Sequence, residues 1–150
     1  MSIRSLGEDE LPEIMALLAA NGLPTSDLAD GAAHFLGVRD ERGLEGIVAI
    51  QPYGAAALLR SLAVRADRRG SGLGSALVLE AERLAASRGA GTLYLLTSDA
   101  GPFFASRGFA EITRELAPAA LRASPQFTSL CMASICMTKQ IGPGNGEAAG

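Results

Sequence analysis

An apolar, strand-like run ends at Val64, and an amphipathic stretch begins near Ser75. Between them stands Arg69-Gly70-Ser71-Gly72-Leu73-Gly74. Glycines at such a junction let the backbone approach a ligand closely. The first N–H groups of a helix have no partners within it, and the helix dipole favours negative charge at that end. Together these features make an anion cradle suited to phosphate. Arg65, Arg68 and Arg69 stand at the turn, in a chain whose net charge is -3 and whose pI is about 5.1. The bland alternative is a plain turn with glycine at a helix entry. The strand before, the helix after and the arginines together favour phosphate.

Two phosphate-binding patterns can be compared with this turn. A P-loop needs Gly-Lys-Ser/Thr, and the only lysine is Lys139, near the other end of the chain. A dinucleotide fold needs Gly-x-Gly-x-x-Gly in a parallel βαβ unit. Gly70 and Gly72 fit it, but Ser75 occupies the third position, and the turn follows what reads as an antiparallel meander. Asp99 lies at a tolerable distance for a ribose contact, so a dinucleotide remains the competing ligand.

The elements that must hold this turn can be read from the pattern. Met1 to Leu6 reads as a short strand. Glu8-Asp9-Glu10-Leu11-Pro12 opens a helix, with acids in its first turn and a proline where a missing N–H costs little. Leu11, Ile14, Met15, Leu17 and Leu18 form its apolar face, and Asn21-Gly22 ends it. Strands are predicted at His34–Val38, Leu44–Gln51 and Ala56–Val64, joined by short turns. A helix follows over Ser75–Arg88, then a buried strand at Thr92–Thr97 and a short helix over Asp99–Arg107. Phe109–Leu116 reads as a strand, Pro118–Ala123 as a helical turn and Leu130–Thr138 as a last strand. The sum is an α/β or α+β domain with a mixed sheet. One domain over residues 1–140 and a glycine-rich, disordered tail over 141–150 are expected.

Arg69-x-x-Gly72-x-Gly74 resembles the pyrophosphate motif of the GNAT acetyltransferases, Arg/Gln-x-x-Gly-x-Gly/Ala. Leu58-Leu59-Arg60-Ser61-Leu62-Ala63-Val64 looks like that family's fourth strand. Phe103-Phe104-Ala105-Ser106-Arg107-Gly108-Phe109 looks like its second signature. The resemblance implies a mixed, mostly antiparallel sheet of about six to seven strands flanked by helices, with acetyl-CoA as cofactor between splayed fourth and fifth strands. It also implies that the backbone of Leu62, Ala63 and Val64 holds the pantetheine arm, and that Arg69, Gly70, Ser71, Gly72, Leu73, Gly74 and Ser75 cradle the pyrophosphate. A small-molecule amine would then attack the acetyl group directly, with proximity supplying much of the rate. A further stretch is similar to a GNAT subgroup associated with arsenic-resistance gene clusters: Pro118-Ala119-Ala120-Leu121-Arg122, Phe127, Ser129-Leu130-Cys131 and Cys136-Met137.

Relatives often use a tyrosine to protonate the leaving thiolate, but Phe104 stands at the matching, cofactor-facing position and has no proton to give. No catalytic acid or base is assigned. Arg60 occupies a strand position where relatives often carry glutamate. Arginine cannot act as a base, but its planar fork suits a carboxylate or similar oxyanion; a surface arginine is an equal alternative. Tyr53 could line the acceptor pocket or simply pack, and Ser98 could contact the acetyl group or cap the next helix. His34 reads as structural. Cys131 and Cys136 read as packing residues, with arsenic(III) binding as the alternative. Glu80, Glu82 and Arg83 read as a solvated helix face.

The remaining expectations come from composition. Hydrophobic residues make up 48% of 150 residues, enough for one real core. No basic nucleic-acid footprint is present. No secretory leader pattern and no apolar run of the ~18 residues a membrane span needs are seen. A cytoplasmic protein, a homodimer formed through the C-terminal strand and the absence of a metal are the expectations.

Overall fold

In the computed structural model, residues 2–23, 33–124 and 135–141 are described. The strands are β1 (Arg4–Ser5), β2 (His34–Asp40), β3 (Gly43–Tyr53), β4 (Ala56–Val64), β5 (Thr92–Thr97), β6 (Ala110–Ile112) and β7 (Ile135–Gln140); the helices are α1 (Leu11–Ala20), α2 (Leu73–Ser87), α3 (Gly101–Ala105) and α4 (Ala119–Arg122). The seven strands form one sheet in the order β1-β2-β3-β4-β5-β7-β6. Pairing is antiparallel for β1–β2, β2–β3, β5–β7 and β6–β7, and parallel for β4–β5. The mixed, mostly antiparallel sheet of the sequence reading is therefore present.

The chain divides into two compact units, Met1–Gln51 with Leu59–Arg83, and Pro52–Leu58 with Leu84–Gly150. In the first unit α1 buries Ile14, Leu17 and Leu18 against Leu44 and Ile47 of β3 and Ala63 of β4. Its apolar spacing is that of one helical face. The Asn21 side chain returns to the Leu17 carbonyl at 2.9 Å, and left-handed Gly22 ends the helix. Gly46 of β3 is a close approach: a β-carbon there would lie 2.9 Å from Leu77 Cδ1 and 3.0 Å from Leu73 Cδ2. Both leucines are buried, so α2 seats directly on the β3 backbone. Glu10 accepts from Arg4, Arg39 and the Gly7 N–H, which hold its carboxyl down at about 2.

In the second unit Ala56, Leu58, Ala117, Leu121 and Cys136 form the core, with Tyr53, Tyr94, Leu96 and Ile112 packed against it. Ala56, Ala57 and Leu58 pair with Thr92, Leu93 and Tyr94. Phe104 meets Phe103 and Phe109 edge-on, with ring centroids 5.1 and 5.6 Å apart. Lys139 reaches from β7 to the Arg107 carbonyl at 2.8 Å and lies over the Phe109 ring, so it caps the turn after α3.

Several boundaries differ from expectation. Helix α2 starts at Leu73, so Gly74 and Ser75 lie inside its first turn. The expected strand Phe109–Leu116 is only three residues long, because Arg114–Leu116 curls into a 3₁₀ turn. The last strand continues to Gln140, and 130–134 lies outside the described residues. The expected tail lies outside them too, apart from Ile141.

Leu77 is fully buried. Leu77→Ala is expected to destabilise the protein by about 2–5 kcal/mol through lost transfer energy and a residual cavity. Equilibrium denaturation in urea measures this.

Candidate functional site

The turn after β4 is built from backbone conformation. Gly70 and Gly72 have φ of 79° and 88°, the left-handed region that disfavours a side chain, and nothing lies within 4 Å of where a β-carbon would stand at either. The Ala76 N–H bonds back to the Gly72 carbonyl at 3.1 Å. The amides of Gly72, Leu73 and Gly74 lie ahead of it, at the positive end of a 15-residue helix. Open space, bare backbone and amide dipoles fit the pyrophosphate of coenzyme A.

The arginines divide. Arg65 makes a two-point contact with Asp40, at 3.0 and 2.7 Å, and also pairs with Asp67 at 2.7 Å. Arg68 pairs with Glu45 at 2.8 Å, and Arg42 with Asp67 at 2.9 Å. The Arg65 guanidinium holds the carboxyls of Asp40 and Asp67 below the usual carboxylate range. Three carboxylates thus meet three guanidiniums. The sequence offered Arg65 and Arg68 as a cluster for a charged ligand; they are instead spent on protein carboxylates. Arg69 is held by neutral acceptors, the Asn21 side chain at 2.8 Å and the Val64 carbonyl at 3.4 Å. The last contact joins the glycine turn to the strand backbone of Leu62, Ala63 and Val64.

Arg60 is 8% exposed, so it is not a surface arginine. Its Nη1 donates to Gln51 Oε1 at 3.2 Å and its Nε to Ser61 Oγ at 3.3 Å. Ser61 has φ of 60°, the only non-glycine residue with positive φ among the described residues. A serine held left-handed inside a strand stores strain, a pattern concentrated at functional sites. Sequence reasoning missed both Gln51 and Ser61. Neither residue type nor spacing reports a backbone angle, and Gln51 becomes a partner only once Arg60 is seen to be buried.

The second unit holds the other candidates. Tyr53 is half-buried against the cluster around Ala56 and Leu58. Phe104 is buried in its aromatic group. Ser98 is exposed and does not cap α3; Thr97 Oγ1 accepts the Ala100 N–H at 3.0 Å instead. Thr97 is buried and so is placed to reach that amide. In the first unit His34 is exposed at the start of β2, and Glu80 and Arg83 form an exposed ion pair as expected. Cys136 is a buried free thiol, which burial pushes up to about 11; Cys131 lies outside the described residues. Among the described residues no group of three His, Cys, Asp or Glu side chains could hold a metal, and no helix is long and apolar enough to cross a membrane.

Residues 31–111, more than half of the chain, match the family model described as acetyltransferase (GNAT) domain. The chain belongs to the GNAT acetyltransferase family, an acyltransferase family whose co-substrate is acetyl-CoA. Solved structures share the fold. N-acetylglutamate synthase from Neisseria gonorrhoeae, complexed with coenzyme A and N-acetyl-glutamate, has a TM-score of 0.77 at 21% identity over 93% of this chain and 35% of that one. This chain therefore spans about a third of that protein. Rv2747 from Mycobacterium tuberculosis, solved with CoA and a further ligand, has a TM-score of 0.77 at 19% identity, covering 93% of this chain and 99% of that one. The ribosomal-protein-S18-alanine N-acetyltransferase from Escherichia coli has a TM-score of 0.72 at 22% identity, covering 94% of each. No curated protein matches the sequence.

With its thiol raised to about 11, Cys136 is ionised in only about one molecule in a thousand at pH 8. In a Cys131→Ser background, iodoacetamide at pH 8 is expected to leave native Cys136 unmodified and to label it fully once the protein is denatured, as mass spectrometry would show.

Proposed function

We propose that this protein is an acetyl-CoA-dependent N-acetyltransferase whose acceptor is a small amine carrying an anionic group. The observation that carries the acceptor class is Arg60, a buried guanidinium whose fork is oriented by Gln51 and Ser61. The planar guanidinium is the side chain whose shape suits a carboxylate or similar oxyanion. The Neisseria gonorrhoeae N-acetylglutamate synthase was solved with N-acetyl-glutamate, an acetylated amine that carries carboxylates.

Acetyl-CoA supplies the activated acyl group. Amides at the start of α2, with Gly70 and Gly72 leaving room, hold the pyrophosphate, and Arg69 adds a cation beside them. Leu62, Ala63 and Val64 present strand backbone to the pantetheine arm. Arg60 fixes the acceptor, so that its amine nitrogen forms the new N–C bond as the C–S bond breaks. Phe104 contributes packing and no proton, so the thiolate takes its proton from water or from the amine being consumed. Tyr53 and Ser98 are the further acceptor-side candidates, and the catalytic unit spans residues 1–140. The setting we propose is resistance to arsenic or another toxin, on the resemblance at Pro118–Arg122 and Cys136-Met137. Cys136 itself is no arsenic ligand in this reading, because it is buried.

A second reading is favoured by Phe104: a non-catalytic acyl-CoA-binding module. Release of free thiol from acetyl-CoA across a panel of amines separates the two. Turnover with amines bearing a carboxylate or oxyanion supports the enzyme, and silence across the panel supports the module.

Isothermal titration with acetyl-CoA tests the cofactor half directly; no binding at millimolar ligand would sink it. Gly72→Ala places a side chain at a left-handed residue, a cost of about 1–2 kcal/mol, and is expected to weaken acetyl-CoA binding several-fold. Arg60→Ala is expected to raise the acceptor KM about 10- to 100-fold, the equivalent of a roughly 1.5–3 kcal/mol charged hydrogen bond, with acetyl-CoA affinity unchanged.

A further inference from the structure

The turn that precedes α2 is clamped from the β2–β3 hairpin. Asp40, the last residue of β2, accepts the Arg42 N–H at 2.9 Å, which fixes its carboxylate within the hairpin turn. From there it grips both Nη atoms of Arg65 and reaches Arg68 Nη2 at 3.5 Å. Glu45, on the other arm, takes the Arg65 N–H on its carbonyl at 2.7 Å and Arg68 Nε on its carboxylate at 2.8 Å. Arg65 and Arg68 are joined in turn, N–H to carbonyl, at 2.8 Å. The Arg68 carbonyl then receives both the N–H and the hydroxyl of Ser71, which stands between Gly70 and Gly72. One unbroken chain of contacts therefore runs from the Asp40 carboxylate to the middle of the glycine turn.

We infer that Asp40 is the positioning residue of the coenzyme A turn: it sets the Arg65–Ser71 backbone and keeps the Arg65 and Arg68 guanidiniums away from the phosphates. This rests on the reading of Arg69–Ser75 as the pyrophosphate cradle. Two glycines with φ near +80 to +90° have many alternatives open to them. A turn made of such residues binds tightly only when something outside it selects one conformation, because the ordering is then complete before the ligand arrives. The clamp supplies that selection. It also explains three arginines beside a phosphate site: two are structural ties and only Arg69 is left with neutral partners.

Isothermal titration of coenzyme A into wild type and Asp40→Asn reads affinity and stoichiometry separately. Asparagine keeps the shape and an acceptor for the Arg42 N–H but loses the charge that holds Arg65. The expected result is a dissociation constant about tenfold higher at unchanged stoichiometry, the size of effect that outer-shell partners of a bound group commonly have. Glu80→Ala, which removes an exposed ion pair on α2, is expected to bind as wild type does. An unchanged dissociation constant in Asp40→Asn overturns the inference, even if stoichiometry falls, since that marks a residue that only stabilises the fold. A lower constant overturns it too, because the freed arginines would then be ligands. Should Asp40→Asn not fold, Asp67→Asn takes the other carboxylate from Arg65 at a more exposed position, with a two- to fivefold rise expected and no change fatal. Wild type that fails to bind coenzyme A removes the cofactor reading itself.

Discussion

The position of α2 depends on an atom that is missing. Gly46 has no β-carbon, and Leu73 and Leu77 occupy the space one would take. That contact sets how closely the helix lies on β3, and hence where its first amides stand. Interiors are packed tightly enough that a shift of one methyl group must be absorbed by neighbours. Here the neighbours are both buried leucines, so the start of the helix has little freedom to move. The proposed anion cradle thus owes its location to apolar packing on the first unit's core.

Charge in this unit is arranged for geometry more than for attraction. Exposed ion pairs contribute little to stability one at a time. The group around Asp40 differs in that its members share partners and tie consecutive residues of one turn. An acidic chain with a phosphate ligand would gain attraction from free cations, yet Arg42, Arg65 and Arg68 are all matched to carboxylates. In the proposed site, binding is left to dipoles and to Arg69. Backbone amides have fixed directions and need no reorganisation to meet a ligand. Arg60, buried in the same unit, donates to the neutral oxygens of Gln51 and Ser61.

Much of this was legible in the sequence because it rests on pattern. Apolar spacing gave α1, the three central strands and α2, and the glycines marked the turn. The absence of a lysine from the turn excluded a P-loop, and the order of Arg69, Gly72 and Gly74 led to the right family. What escaped depends on pairs distant in sequence. Arg65 and Arg68 looked like ligands until Asp40 and Glu45 were found facing them, more than 20 residues away in the chain. Arg60 looked equally like a surface residue, since one arginine in an apolar strand does not declare its burial. Ser98 and Thr97 are adjacent and chemically alike, and only the inward direction of Thr97 makes it the one that bonds Ala100. The strained angle at Ser61 has no signature in residue type at all.

The engagement of Lys139 has a consequence for an enzyme of this chemistry. Every other cationic side chain in the protein is an arginine, and guanidinium stays protonated near neutral pH. The single ε-ammonium is tied to the Arg107 carbonyl and covered on one side by Phe109. A protein that holds a reactive thioester therefore offers it almost no side-chain amine of its own, and is guarded by its composition against modifying itself.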